Sequence, residues 1–268
     1  MNTEWMRRAL LLAGLIVLLT ACATSPTGRP QLQFMPDSQI RAMGLDAYSQ
    51  MKADQTTVDG GPTVAYVECV AEALIPQVPG DYAENGWEVT VFESEQVNAF
   101  ALPGGKMGIY TGLLEVTENQ DQLAAVIAHE IAHVMAQHAN ERMSTEVATV
   151  LGLGALGMAA GDDPRRQQVM AALGVGAQIG ILLPFSRTHE SEADDIGLGL
   201  MADAGFDPRA SIQLWKNMSQ AGGGAPPEFL STHPSRDTRI ADLRSGMPTA
   251  IYRYEQAVAA GRAPDCAS

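Results

Sequence analysis

The chain has 268 residues, enough for one large domain or two small ones, and 46% of them are hydrophobic, enough to bury a core. Seventeen Lys and Arg stand against 31 Asp and Glu, a formal charge of −14, which argues against nucleic acid as a partner. No Gly-rich phosphate loop follows a predicted strand, and no Ser, Cys and His arrangement forms a nucleophile motif, which sets aside nucleotide and serine-hydrolase chemistry.

Arg7 and Arg8 precede the apolar run from Ala9 to Leu19, too short to span a bilayer and suited to a signal-peptide core, so residues 1–21 are excluded from the fold. The run ends in Leu19-Thr20-Ala21-Cys22, which resembles the lipobox of bacterial lipoproteins. That resemblance makes Cys22 a lipid-modified N-terminus and, with Ala23 rather than Asp after it, implies the periplasmic face of the outer membrane. Each buried methylene of a lipid contributes about 0.8 kcal/mol, so two or more chains would hold a soluble domain at the bilayer. The alternative is an ordinary secretory peptide cleaved near Ala21 or Ala23. Cys69 and Cys266 then remain as a pair that an oxidising compartment allows to join, if geometry permits.

Residues 22–36 are rich in turn formers and predict a lipidated tether, with the folded domain spanning 37–268. Apolar residues recurring at three and four predict helices over Ser38–Lys52 and Val64–Ile75. Trp87–Phe92, Val97–Leu102 and Lys106–Thr111, the last two divided by Pro103-Gly104-Gly105, predict a small antiparallel sheet. Thr117 to Gln120 reads as a capping box opening a helix that runs to about Met143. Val147–Ala160 and Val169–Phe185 predict a helical hairpin, too polar and short for membrane spans, although bilayer contact stays open. Helices over Pro208–Ser219 and Pro234–Arg244 flank a Gly/Pro loop.

The chemistry is carried by His129-Glu130-Ile131-Ala132-His133, which fits the H-E-x-x-H pattern. A spacing of four puts both imidazoles on one helix face, where they suit one Zn²⁺, with Glu130 as general base toward an activated water. A third ligand is offered by the segment His189-Glu190-Ser191-Glu192-Ala193-Asp194. Glu190 and Asp194 share a face while Glu192 lies about 200° around, so one of the pair binds metal and the other orients a ligand histidine. His189 is the main rival ligand, though it points about 100° away from Glu190, and His138, about 140° around from His133, is expected to be structural.

These two motifs resemble the CAAX-prenyl-protease/HtpX-like family of gluzincin metallopeptidases, in its periplasmic lipoprotein branch, and the likeness runs from Asn98 through the zinc helix to Ser231-Thr232-His233-Pro234. The resemblance implies one zinc held by His129, His133 and Glu190, with Asp194 as the residue behind the ligands and Glu192 solvent-facing or structural. It also implies that Val97–Ala101, with Asn98, Ala99 and Phe100, is an edge strand that aligns extended substrate by backbone hydrogen bonds. The substrates it implies are misfolded or unassembled envelope proteins, with an envelope assembly machinery as a further partner. An assembly factor or holdase with little turnover is the alternative. His233 is left with two roles: an oxyanion donor, or a ligand that fills the open zinc position and keeps the enzyme latent. The fold expected is α+β, mostly helical and zincin-type, with the small sheet beside the zinc helix.

Overall fold

The computed structural model describes residues 22–83, 86–157, 185–221, 228–233 and 239–266. The fold is α+β and mostly helical, as expected. Its axis is α4 (Gln120–Met135), preceded by α1 (Asp37–Asp54), α2 (Gly61–Leu74) and the short α3 (Thr111–Leu114). α5 (His138–Gly157), α6 (Arg187–Asp203), α7 (Ala210–Gln220), α8 (Glu228–Thr232) and α9 (Arg239–Ala259) follow it.

The start of α4 is set two residues later than a capping box on Thr117 would place it. Asn119 is the N-cap, accepting from the Gln122 amide at 3.0 Å, and Asp121 puts a negative charge on the first turn. The Gln122 side chain reaches back to accept from the Glu118 amide. From Gln122 to Met135 only Ala125 is not fully buried, because α2, α6, α7 and the sheet cover it on all sides. α6 can lie against α4 because it crosses at Gly197, where an added Cβ would stand 3.0 Å from the His129 backbone nitrogen.

β3 (Glu88–Phe92), β4 (Ala99–Leu102) and β5 (Lys106–Tyr110) form a sheet in the order β3-β5-β4. The expected antiparallel pairing joins β4 to β5 through Gly104 and Gly105, both at positive φ, while β3 runs parallel to β5. β5 is therefore central. Thr57 bridges the outer side of β3, and β4 keeps an edge free of any strand among the described residues. Gly108 leaves room for Phe100 and Phe92, whose ring atoms would lie 2.3 and 2.8 Å from an added Cβ.

Three further expectations need correction. Residues 22–32 are not a loose tether: β1 (Cys22–Thr24) and β2 (Pro30–Leu32) pair antiparallel, and Arg29 and Gln31 of this hairpin reach Glu192, Glu141 and the Ala136 carbonyl. Composition shows turn formers but not the carboxylates they meet. The zinc-motif helix stops at Met135 instead of Met143 because Gln137 takes φ 50°, and α5 begins afresh at His138. α9 extends well past Arg244 to Ala259, with Pro248 inside it. Pro248 is exposed, so water can take the carbonyl it leaves unpaired, while Leu243, Met247, Ala250 and Ala257 keep the helix seated. Of the two readings of Glu192, the structural one holds: it is buried, because the N-terminal hairpin covers its flank of α6.

Cys69 of α2 and Cys266 form a disulfide, with Cα atoms 5.7 Å apart, fastening the C-terminal segment. Of the expected 147–185 hairpin, the first arm falls in α5 and residues 158–184 lie outside the described set. Among the described residues no helix is long and apolar enough to cross a membrane.

Candidate metal centre

His129 and His133, one turn apart on α4, turn their Nε2 atoms toward each other at 3.1 Å. Glu190, in the first turn of α6 behind the Ser186 N-cap, brings its carboxylate to 3.5 Å from each Nε2. His233, just past α8, brings Nδ1 to 3.4 Å from His129 Nε2 and 3.1 Å from Glu190 Oε1. The α8 turn places it, since its amide bonds to Phe229 O and its ring stacks on Phe229 at 4.4 Å. Ligands about 2.0–2.1 Å from a tetrahedral zinc stand about 3.3–3.4 Å from one another. The five separations, 3.1–3.5 Å, match that figure, and all four residues are buried. The donors present therefore fit zinc.

Glu130 lies beside this set. Its Oε2 accepts from the Ala101 amide of β4 at 3.2 Å, and its Oε1 makes no hydrogen bond and sits 3.4 Å from His233 Nε2. Burial, more than any neighbour, pushes the Glu130 carboxyl above the ordinary carboxylate range. Burial also raises Glu190, but hydrogen bonds with His129 and His233 outweigh it and hold that carboxyl well below the usual range. Burial and then the charge of His129 drive His133 well below the usual imidazole value, toward the neutral form a metal ligand requires.

Asp194, one turn beyond Glu190 on α6, places Oδ1 3.1 Å from His129 Nδ1, where it orients the ring. Sequence reasoning passed over Arg239. Its guanidinium, on α9, donates to Glu190 Oε2 at 2.9 Å and Asp194 Oδ1 at 2.7 Å, and lies 3.4 Å from the centre of the Trp215 ring. The available signal was its place on the buried stripe of α9, four residues before Leu243.

The rival ligand His189 is not in the cluster; it contacts Glu141 at 3.1 Å and stacks on His138. His138 is closer to the centre than its angle on a continuous helix implied. The break at Gln137 returns its Nδ1 to 2.9 Å from His133 Nδ1.

Phe185 stacks on His133 at 3.9 Å. Beyond it a cavity of about 110 Å³ is bounded by Asn98, Ala99, Phe100, Ala101, Glu130 and His233. The backbone of Asn98 to Ala101 faces this cleft as the free-edged β4, whereas the Phe100 ring is committed to Phe92 and Tyr110.

An H-E-x-x-H helix, a glutamate from a later helix and donor spacing that fits zinc are joined by a match of residues 63–246 to the model of peptidase family M48. The chain belongs to peptidase family M48. This family consists of metallopeptidases. The mitochondrial metalloendopeptidase OMA1 of Schizosaccharomyces pombe is 34% identical over 267 residues, covering 94% of this chain and 74% of that protein. The beta-barrel assembly-enhancing protease of Yersinia pestis is 31% identical over 214 residues, 77% of this chain and 43% of that one. Its Escherichia coli counterpart is 29% identical over 253 residues, 88% and 51%. The chain thus spans about half the length of these bacterial M48 relatives. The expected gluzincin peptidase family is thus found as M48, with OMA1 and these bacterial proteases as relatives and without a specific placement among the CAAX-prenyl-protease and HtpX proteins.

Proposed function

We propose that the chain is a zinc endopeptidase of protein quality control that cleaves misfolded or unassembled envelope proteins. One observation carries the reading: a zinc-sized cluster of four donors lies beside a buried carboxylate and the free edge of β4. Zinc, when bound, supplies Lewis-acid polarisation and activation of water. His129, His133 and Glu190 would hold it, and Asp194 and Arg239 fix the His129 and Glu190 side chains.

β4 aligns an extended substrate by main-chain hydrogen bonds, which makes the specificity loose toward side chains. The unpaired Oε1 of Glu130 accepts the proton of the attacking water and later delivers it to the leaving amine, and the raised affinity of this carboxyl for protons suits both steps. Of the two roles open to His233, the geometry favours latency. Its Nδ1 lies among the donors of His129, His133 and Glu190 and would serve as a fourth ligand, whereas a catalytic zinc site keeps a position open. The ring must swing out before water and substrate enter.

The Leu19-Thr20-Ala21-Cys22 sequence supports export and lipid attachment at Cys22, on the periplasmic face of the outer membrane. Incorporation of labelled palmitate, lost in Cys22→Ser, tests this. The closed donor set also favours a second reading, an assembly factor with little turnover, and relatives named beta-barrel assembly-enhancing proteases suit an assembly machinery as partner.

The deciding experiment measures zinc content and cleavage of unfolded casein by the chain from Ala23, as wild type, Glu130→Gln and His233→Ala. The expected result is one zinc in all three, faster cleavage in His233→Ala, and cleavage reduced about 10²–10⁴-fold in Glu130→Gln. Cleavage that survives in Glu130→Gln with zinc bound overturns the mechanism. Absence of cleavage in every form leaves the assembly factor as the reading.

A further inference from the structure

Behind the metal cluster, a second group of buried and half-buried polar side chains runs from His133 to the N-terminal hairpin. His133 turns Nε2 toward the other ligands and leaves Nδ1 2.9 Å from His138 Nδ1. His138 Nε2 is 3.1 Å from Glu192 Oε2. That oxygen also accepts from Arg29 Nε at 2.9 Å and Nη2 at 2.7 Å, while Thr27 donates to the other oxygen of the carboxylate. Arg29 holds Glu141 as well, through two contacts of 2.6 Å, and Gln31 donates at 2.7 Å to the carbonyl of Ala136, the residue that ends the zinc helix.

The direction of these hydrogen bonds is set by their far end. Glu192 is an acceptor only, so His138 donates to it from Nε2 and must accept at Nδ1. His133 then donates from Nδ1, which leaves the lone pair of its Nε2 facing the cluster. A ligand imidazole needs that tautomer, and the partner of the other ring nitrogen is what selects it. His129 obtains the same service directly from Asp194. His133 has no carboxylate in that place and reaches one through His138.

We propose that His138, Glu192 and Arg29 are positioning residues for the metal centre, and that the N-terminal hairpin is thereby a working part of the site. The hairpin keeps Glu192 in place, Glu192 sets the His138 ring, and that ring holds His133 in its metal-binding tautomer and orientation. None of the three touches substrate or reacting atoms. The break at Gln137 is what makes the arrangement possible, since a continuous helix would carry His138 away from His133.

The proposal rests on His133 being a zinc ligand, and loss of stoichiometric zinc in His133→Ala tests that assignment separately. The relay is tested by competitive chelator titration of full-length protein and by the visible spectrum of its Co²⁺ form, in His138→Leu, His138→Gln, Glu192→Gln and Arg29→Gln. Arg253→Gln, which breaks an ion pair with Asp203 remote from the centre, is the control. The expected result is zinc affinity lowered about 10–100-fold in His138→Leu and Glu192→Gln, with an altered Co²⁺ spectrum. Arg29→Gln should follow in the same direction, and Arg253→Gln should match wild type. His138→Gln should recover part of the loss, because an amide accepts on one side and donates on the other. Should the core variants fail to fold, Arg29→Gln decides, its side chain being 23% exposed. Folded variants that keep wild-type zinc affinity and Co²⁺ spectrum, whatever their melting temperatures, overturn the proposal.

Discussion

Arg239→Met should unsettle the metal-free protein far more than a charge change usually does. The guanidinium is 4% exposed and bridges Glu190 and Asp194, whose side chains are 3% and 6% exposed, so the pairs belong to the buried regime. Methionine roughly keeps the volume against Trp215 and adds little cavity cost, but it leaves both carboxylates without that cation. Removing one partner of a buried pair costs about 3–5 kcal/mol. The lost stacking over Trp215 pushes toward the upper end. In a chain of this size about 1 kcal/mol shifts the melting temperature by about 2–4 °C, so the expected fall is roughly 6–20 °C. Calorimetry of the chelator-treated protein measures it, and a repeat with saturating zinc should show a smaller deficit, since the ion supplies positive charge to Glu190. A fall of less than about 3 °C without zinc would refute the view that Arg239 compensates these carboxylates.

Gly197→Ala places a methyl against the zinc-helix backbone at His129 and should cost about 1–3 kcal/mol, read as a lower denaturation midpoint together with weaker zinc binding. Replacing Cys69 and Cys266 by Ser frees a link between residues 197 apart, which chain entropy values at about 5 kcal/mol; urea unfolding of oxidised and Ser forms should show a large part of it. Burial works to raise the Glu141 carboxyl, but hydrogen bonds from Arg29 and His189 outweigh it and hold it down to about 2. A carboxyl lowered on folding contributes stability above its unfolded value, and that contribution is lost as pH falls through the folded one. Metal-free wild type should therefore lose more stability than Glu141→Gln between about pH 4.5 and 2, and parallel melting curves over that window would contradict this.

Much of the α+β architecture was readable because local periodicity decided it. The stripe Leu123, Val126, Ile127, Ile131 and Val134 announced α4, and the Pro103-Gly104-Gly105 turn announced the β4–β5 hairpin. Boundaries failed where a single backbone angle or a tertiary contact intervened. Nothing local marks Gln137 as left-handed, so the periodicity predicts one helix to Met143 and hides the return of His138 to His133. The stretch from Cys22 to Leu32 has turn-forming composition, and only the carboxylates of Glu141 and Glu192, more than a hundred residues away, explain why it folds down. The relay to His133 was missed for the same reason.

By itself the sequence determined the chemistry of the centre. Two imidazoles four apart on a helix must share a face, and Glu190 and Asp194 four apart must share another, because the helical repeat allows nothing else. Only the tertiary structure decided how those faces meet. It put the Nδ1 of His233 beside His129 and Glu190, turned the free edge of β4 toward Glu130, and set Arg239 between Glu190 and Asp194. Such contacts join residues from separate elements, and their distances follow from how helices pack at sites such as Gly197, which no local pattern in the chain records.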